Sequence, residues 1–219
     1  MTLQKTAIRF LDRFFPRFLA KRVYTHLSNP YVRKLRDFEE AILATANQSR
    51  IRFKAFDIQC YAWGNPDHPV VLLVHGWEGQ AGNFGAMIDA LLAKKYYIIA
   101  FDGPSHGKSS MAPTSMFEHG ELTTFMIKKH QPQVIVSHSF GSVATMMGLA
   151  HNPDWSVDRW LLVTTPFDFR NRIKGVADYF GVGERTIQYV IDQVEVDIGD
   201  SIDTMNMKVY SSRVQNVED

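Results

Sequence analysis

The sequence predicts an α/β fold: a mostly parallel β-sheet flanked by helices, with an N-terminal helical extension and a partial helical cap. Three observations support this prediction. Four short, continuous apolar runs alternate with segments of helical spacing, and such alternation is typical of right-handed crossovers between parallel strands. The runs are rich in Val, Ile and Leu, as in strands that are buried on both faces. The length of 219 residues suits one domain, or one domain with an appendage.

Each element has its own signal in the chain. Residues 50–63 alternate partially between apolar and polar side chains, which predicts one or two strands. The predicted buried strands are 70–76, 96–104, 134–139 and 160–166; the predicted helices are 83–94, 115–130 and the segment directly after residue 139. Residues 168–195 look helical, with glycines as breaks. We therefore divide the chain into a basic amphipathic helical extension (1–49), a core (50–166) and a cap-like helical segment (167–219).

The composition excludes several classes of protein. Hydrophobic residues make up 45% and charged residues 21%, which is typical of a globular chain. A net charge of +1 gives the protein no overall positive potential that would attract a phosphate backbone, so we expect no nucleic-acid partner. The single cysteine, Cys60, rules out a disulfide framework and a Cys-rich zinc site. We expect no metal, no cofactor, no membrane-spanning helix and no signal peptide, and a cytoplasmic location.

The N-terminal segment carries an uneven share of the charge. Residues 1–36 contain nine of the 24 basic residues and one of the 23 acidic residues. Pro16 is predicted to begin a second helix or to kink the first. Apolar residues recur at helical spacing between the arginines: Ile8, Leu11, Phe15, Phe18 and Leu19. Two interpretations stay open: an appendage whose aromatic face packs on the main domain, or a surface that contacts an anionic membrane or a partner.

The third buried strand ends in the motif Ser137-His138-Ser139-Phe140-Gly141. This is the nucleophile elbow G-x-S-x-G with serine in place of the first glycine. Because the chain turns sharply from strand into helix, the residues two before and two after the nucleophile must be small, and both are. The hydroxyl of Ser139 would stand at a helix N-terminus, where the dipole and free amides favour negative charge. We predict that Ser139 is a nucleophile; the alternative is an ordinary helix N-cap.

A glycine-rich turn follows the first buried strand. It consists of His75, Gly76, Trp77, Glu78 and Gly79. Acyl transfer requires two backbone amides that meet the oxyanion. The residue after the nucleophile, Phe140, supplies one, and Trp77 is the candidate for the other. The alternative is a turn that merely needs glycine.

A second loop, residues 102–109, follows the second buried strand and contains Asp102, His106 and Gly107. We expect His106 to order this loop by hydrogen bonds rather than to act as a catalytic base. His138 directly precedes Ser139 at a strand end, and neighbouring strand side chains point to opposite faces. We therefore expect that His138 does not reach the Ser139 hydroxyl.

The order HGWEG, FDGPSHGKSS and SHSFG, each after an apolar strand, resembles the α/β-hydrolase superfamily. It is similar to bacterial esterase- and lipase-like members with a basic N-terminal extension. The resemblance covers roughly residues 50–166. It implies a nucleophile at Ser139, oxyanion amides at Trp77 and Phe140, and a helical cap over roughly 167–200. It also implies a small ester-like substrate and a structural role for the loop that begins at Asp102.

Two features depart from that pattern. The first elbow glycine is Ser137, and the remainder of the triad is not evident. The family order is Ser, acid, His, but the only histidine after Ser139 is His151, about 18 Å along the following helix at 1.5 Å per residue. We expect the chain to stop before the strand that carries the acid; Asp168 and Asp219 are alternative acids.

Two classes of function follow. The first is a serine hydrolase that acts on a carboxylic ester or related acyl substrate through Ser139. The second is a non-catalytic binding protein that keeps the pocket. We also expect hydrophobic surface to be exposed next to residues 160–166, where a further strand would pair.

Overall fold

A computed structural model describes residues 3–30, 34–150, 152, 154–164, 168–198 and 201–204. These residues form two compact units. The helical unit combines residues 3–29 with the described residues from 168 onwards, and the sheet unit comprises the described residues from 30 to 164. The division of the chain at residues 49 and 166 stays a prediction.

The described residues contain six strands and eight α-helices. The strands are β1 (Asn47–Phe53), β2 (Phe56–Trp63), β3 (Val70–Val74), β4 (Tyr97–Phe101), β5 (Val134–His138) and β6 (Arg159–Val163). The helices are α1 (Leu3–Phe14), α2 (Pro16–Leu27), α3 (Asp37–Ala44), α4 (Gly85–Ala93), α5 (Met116–His130), α6 (Phe140–Ala150), α7 (Phe169–Phe180) and α8 (Glu184–Ile198).

The strands form one sheet in the order β1-β2-β4-β3-β5-β6. Strands β4, β3, β5 and β6 are parallel, whereas β1 and β2 join them in antiparallel pairs. The predicted fold class, a mostly parallel sheet flanked by helices, is confirmed. The antiparallel β1–β2 hairpin provides the two strands that overlap residues 50–63; β1 is mostly exposed and β2 is mostly buried.

Both faces of the sheet are buried by apolar clusters. Along β3, Val71 and Leu73 belong to one cluster, and Leu72 and Val74 belong to the other. This alternation is what a strand with helices on both faces requires. Helices α3 and α4 contribute to the first cluster, and α5 and α6 contribute to the second. The four continuous apolar runs of the sequence are therefore β3, β4, β5 and β6.

The helical unit joins the two ends of the described chain. Helix α2 packs on α8, and the Asp12 carboxylate accepts a hydrogen bond of 3.0 Å from the Gly183 amide. Helix α2 begins at Pro16, as predicted, since proline suits the first helical position. The break between α7 and α8 contains two glycines, of which Gly181 has a φ of 76°.

The N-terminal apolar pattern is only partly buried. Leu19 is buried and Ile8 and Leu11 are partly buried, but Phe15 and Phe18 are 54% and 52% exposed. These two side chains are therefore not part of a core in the described residues. Both interpretations of the segment, packing of the aromatic face on the main domain and contact with an anionic membrane or a partner, stay predictions.

Strand β6 lies at the edge of the described sheet and pairs with β5. Its side chains Leu161, Leu162 and Val163 are 51%, 38% and 37% exposed. The prediction of a strand at 160–166 is confirmed, but the prediction that it is buried is wrong, because β6 is the edge strand of the described sheet. Apolar surface is exposed there, as expected from the sequence.

Candidate active site

Ser139 lies at a sharp turn between strand β5, which ends at His138, and helix α6, which begins at Phe140. Its φ of 52° is in the left-handed region, which is uncommon for a residue with a side chain. The Ser139 amide donates a 2.8 Å hydrogen bond to the Val163 carbonyl at the end of β6. Backbone strain of this kind is characteristic of a nucleophile elbow. The role of Ser139 as a nucleophile stays a prediction.

Two glycines allow other backbone segments to approach this turn. A Cβ atom on Gly141 would lie 2.4 Å from the Val74 carbonyl oxygen, so α6 packs directly on the end of β3. A Cβ atom on Gly76 would lie 2.9 Å from both the Ser139 Cβ and the His138 carbonyl oxygen. The loop after β3 therefore lies against the elbow, and side chains at these two positions would separate them.

Ser137, the departure from the elbow pattern, has a structural explanation. Its side chain is fully buried. The hydroxyl accepts a 2.8 Å hydrogen bond from the Trp160 indole nitrogen and donates one of 2.9 Å to the Ser142 hydroxyl. Serine is therefore small enough for the elbow, and it links β5 to both β6 and α6.

The glycine-rich turn after β3 has a defined peptide orientation. The Gly76 carbonyl accepts hydrogen bonds from His75 Nδ1 at 2.7 Å and from the Gly79 amide at 2.9 Å. Because the carbonyl and the following N–H point in opposite directions across a trans peptide, the Trp77 amide points away from both donors. Among the described residues, nothing accepts a hydrogen bond from the Trp77 amide. The oxyanion role of Trp77 and Phe140 stays a prediction.

Three buried imidazoles surround this turn: His75, His106 and His119. Their ring centroids lie 4.8–5.6 Å apart. His119 Nε2 donates to the His75 carbonyl at 3.0 Å, and His106 Nε2 accepts from the Glu78 amide at 3.1 Å. His75 Nε2 accepts from the Gly103 amide at 2.8 Å. The imidazoles thus bind the backbone on both sides of Trp77.

These contacts support a loop-ordering role for His106, since its Nδ1 also donates to the Pro104 carbonyl at 2.8 Å. Burial lowers the pKa of His75 to about 4 and lowers the pKa of His119 well below its usual value. Both rings are therefore neutral near neutral pH. Among the described residues, no three His, Cys, Asp or Glu side chains are arranged to hold a metal ion.

Asp102 organises the neighbouring loop. Its carboxylate accepts hydrogen bonds from the Ala81 and Lys108 amides, both at 2.8 Å, and from the Tyr61 hydroxyl at 3.0 Å. Burial raises the pKa of this carboxyl group. Gly107 has a φ of 46°, and a Cβ atom there would lie 2.2 Å from an Asp102 oxygen. The loop is therefore built around a buried carboxylate.

A base for Ser139 is not identified in the described part of the chain, where the Ser139 hydroxyl has no hydrogen-bond partner. Asp168, an alternative acid, caps α7 and accepts a 3.0 Å hydrogen bond from the Asn171 amide. His151 and Asp219 lie outside the described residues. Sequence reasoning did not single out His119, because a histidine within an amphipathic helix has no spacing signal of its own.

The sheet order and the serine at the turn between β5 and α6 define the class of the α/β-hydrolase folds. The sequence profile described as the alpha/beta hydrolase family matches residues 71–200, and the chain belongs to this family.

Similar proteins agree with this assignment. The human "Serine hydrolase-like protein" is 33% identical over 117 residues, which cover 50% of this chain and 56% of that protein. The "Probable serine hydrolase" of Drosophila melanogaster is 32% identical over 98 residues, which cover 42% of this chain and 29% of that protein. The chain thus matches about half or less of the length of these relatives.

Solved structures show the same fold. A thioesterase domain from the curacin biosynthetic pathway aligns with a TM-score of 0.52 at 25% identity, over 62% of this chain and 53% of that chain. An esterase from Pyrococcus furiosus aligns with a TM-score of 0.58 at 15% identity, over 87% of this chain and 74% of that chain.

Proposed function

We propose that the protein is a serine hydrolase that cleaves a carboxylic ester or related acyl compound through Ser139. The observation that carries the proposal is the left-handed conformation of Ser139 between β5 and α6. Such a conformation costs roughly 1–3 kcal/mol and persists where surrounding structure imposes it. The names of the human and fly relatives and of the thioesterase domain support an acyl substrate and a serine nucleophile.

The proposed reaction begins with attack of the Ser139 hydroxyl oxygen on the substrate carbonyl carbon. A histidine accepts the hydroxyl proton and later gives it to the leaving alcohol, and water then releases the acyl group. The amides of Trp77 and Phe140 stabilise the oxyanion of the tetrahedral intermediate. The bond from His75 to the Gly76 carbonyl favours this role, because it turns the Trp77 amide away from His75 Nδ1.

One observation favours a second candidate, a non-catalytic binding protein of the same fold. His75 and His106 use both ring nitrogens in bonds to other groups, and His119 Nε2 donates to a backbone carbonyl. The rings of His75 and His106 are therefore not available to Ser139 without breaking a bond, whereas His119 Nδ1 is buried without a hydrogen-bond partner. A cytoplasmic location and the absence of a nucleic-acid partner stay predictions.

Hydrolysis of a p-nitrophenyl ester and covalent labelling by a fluorophosphonate probe distinguish the two candidates. The 219-residue chain should turn over slowly, because no base contacts Ser139 in the described residues and an acyl-transfer site without its base keeps only about 10³–10⁴-fold acceleration over water. Ser139→Ala should abolish labelling and turnover, whereas Ser49→Ala, an exposed serine on β1, should change neither.

Equal labelling of the native chain and Ser139→Ala would reject the hydrolase proposal and favour the binding protein. Fast turnover that Ser139→Ala abolishes would show that a base exists in the chain. His106 would then be the first histidine to replace.

A further inference from the structure

The helical unit exposes an aromatic surface, defined here as Phe10, Phe14, Phe15 and Phe18. These four side chains are 57%, 61%, 54% and 52% exposed. The Phe10 ring centroid lies 4.9 Å from that of Phe14 and 6.5 Å from that of Phe15. Contiguous exposed aromatic rings of this kind mark an interaction surface rather than ordinary solvent-facing residues.

The packing of α1 and α2 uses other side chains. Leu19 and Ala20 are buried, and Ile8 and Leu11 are partly buried. The Thr186 hydroxyl also donates a 3.4 Å hydrogen bond to the Pro16 carbonyl. The two helices are thus held in the helical unit by residues outside the aromatic surface.

Basic residues accompany the aromatic surface. Between residues 9 and 22 the only acidic residue is Asp12, whose carboxylate binds the Gly183 amide. The basic residues in this interval are Arg9, Arg13, Arg17, Lys21 and Arg22. Of these, Arg17 lies with its guanidinium 5.2 Å from the centre of the Tyr189 ring on α8. The Arg22 guanidinium lies 5.4 Å from the centre of the Phe18 ring. Long basic side chains beside exposed aromatic rings match the two layers of a membrane surface: anionic headgroups and the acyl region beneath them.

We propose that α1 and α2 bind the surface of an anionic membrane, with the aromatic surface in the acyl boundary and the basic side chains at the headgroups. The charge favours lipid over an apolar protein partner, because a net positive helix pair is complementary to an anionic leaflet. Of the helices in the described residues, none is long and apolar enough to cross a bilayer. The proposed contact is independent of the chemistry at Ser139.

Vesicle flotation of the 219-residue chain tests the proposal. Phosphatidylcholine vesicles with 30% phosphatidylglycerol should bind the chain, and pure phosphatidylcholine vesicles should bind it much more weakly. Phe10→Ser/Phe14→Ser should reduce the partition coefficient by about tenfold or more per ring. Arg13→Gln/Lys21→Gln should reduce it by about fivefold per charge, and 0.5 M NaCl should weaken binding of the native chain.

Matched variants control for general surface effects. Val196→Ser removes a 75% exposed apolar side chain from α8 of the same unit, and Lys94→Gln/Lys128→Gln removes two exposed charges from the sheet unit. Neither should change binding, and circular dichroism should show that every variant is folded. No binding to anionic vesicles, or equal losses in the control variants, would overturn the proposal. Self-association that Phe10→Ser/Phe14→Ser abolishes, without vesicle binding, would overturn it in favour of a second copy of the chain.

Discussion

Replacing Ser137 by glycine restores the usual elbow pattern, and the structure predicts that it destabilises the protein. The variant leaves the Ser142 hydroxyl without its donor and the Trp160 indole N–H without its acceptor. A buried group left unsatisfied costs about 1–3 kcal/mol, and glycine in a strand costs a further ~0.5–1 kcal/mol. Trp160 is only partly buried, so water can replace part of its bond. We expect Ser137→Gly to lower the free energy of unfolding by about 2–4 kcal/mol.

Urea denaturation followed by tryptophan fluorescence and circular dichroism measures this change. Fluorescence reports on the sheet unit, since all four tryptophans belong to it: Trp63, Trp77, Trp155 and Trp160. Ser137→Ala isolates the hydroxyl, and Ser142→Ala removes one partner. The double variant Ser137→Ala/Ser142→Ala should lose about 0.5–3 kcal/mol less free energy of unfolding than the sum of the two single variants, because each single variant breaks the same hydrogen bond. A Ser137→Gly variant as stable as the native chain would refute the reasoning.

Three further changes test other parts of the sheet unit. Gly141→Ala should lower the free energy of unfolding in urea by at least about 1–3 kcal/mol, since the added methyl group would overlap a backbone carbonyl of β3. The exposed edge strand β6 should make the native chain self-associate, and Leu161→Lys should reduce this in sedimentation velocity, because a lysine on an exposed strand edge opposes pairing with another chain. Unchanged sedimentation would contradict this. Lowering the pH from 6.5 to 4 should lower the free energy of unfolding by about 3 kcal/mol through His75. The reason is that His75 takes up a proton near pH 6.5 in the unfolded state but only near pH 4 in the folded state. The lowered pKa of His119 adds to this loss of stability, so His119→Phe should make the free energy of unfolding in urea fall less between pH 7 and 4 than in the native chain. The raised pKa of Asp102 acts in the opposite direction, but it does so in both the native chain and the variant.

The sheet was predictable because its central strands are buried on both faces. Such strands must be continuous apolar runs, and predicted strand 134–139 differs from β5 by a single residue. The elbow was predictable for a similar reason, because a sharp turn between strand and helix requires small residues at Ser137 and Gly141. Both features could be predicted because the steric requirement and the residues that meet it lie close together in the sequence.

Contacts between distant segments leave no such pattern. The hydrogen bond from Gly183 to Asp12 joins residues 171 positions apart, and no sequence pattern predicts it. The same holds for His119, which acts on the turn after β3 through the His75 carbonyl, 44 positions away. The exposure of Phe15 and Phe18 is likewise not evident from the helical spacing of the apolar residues in this segment.

The two amides proposed for the oxyanion site are held by different physical causes. The Phe140 amide is placed by the start of α6, which Gly141 seats on the backbone of β3. The Trp77 amide is placed by neutral imidazoles, because only a neutral His75 can donate from Nδ1 to Gly76 while accepting from Gly103 at Nε2. Protonation of His75 would convert that acceptor into a second donor facing an N–H group. Acid should therefore disturb the turn that carries Trp77 before it disturbs the elbow that carries Phe140.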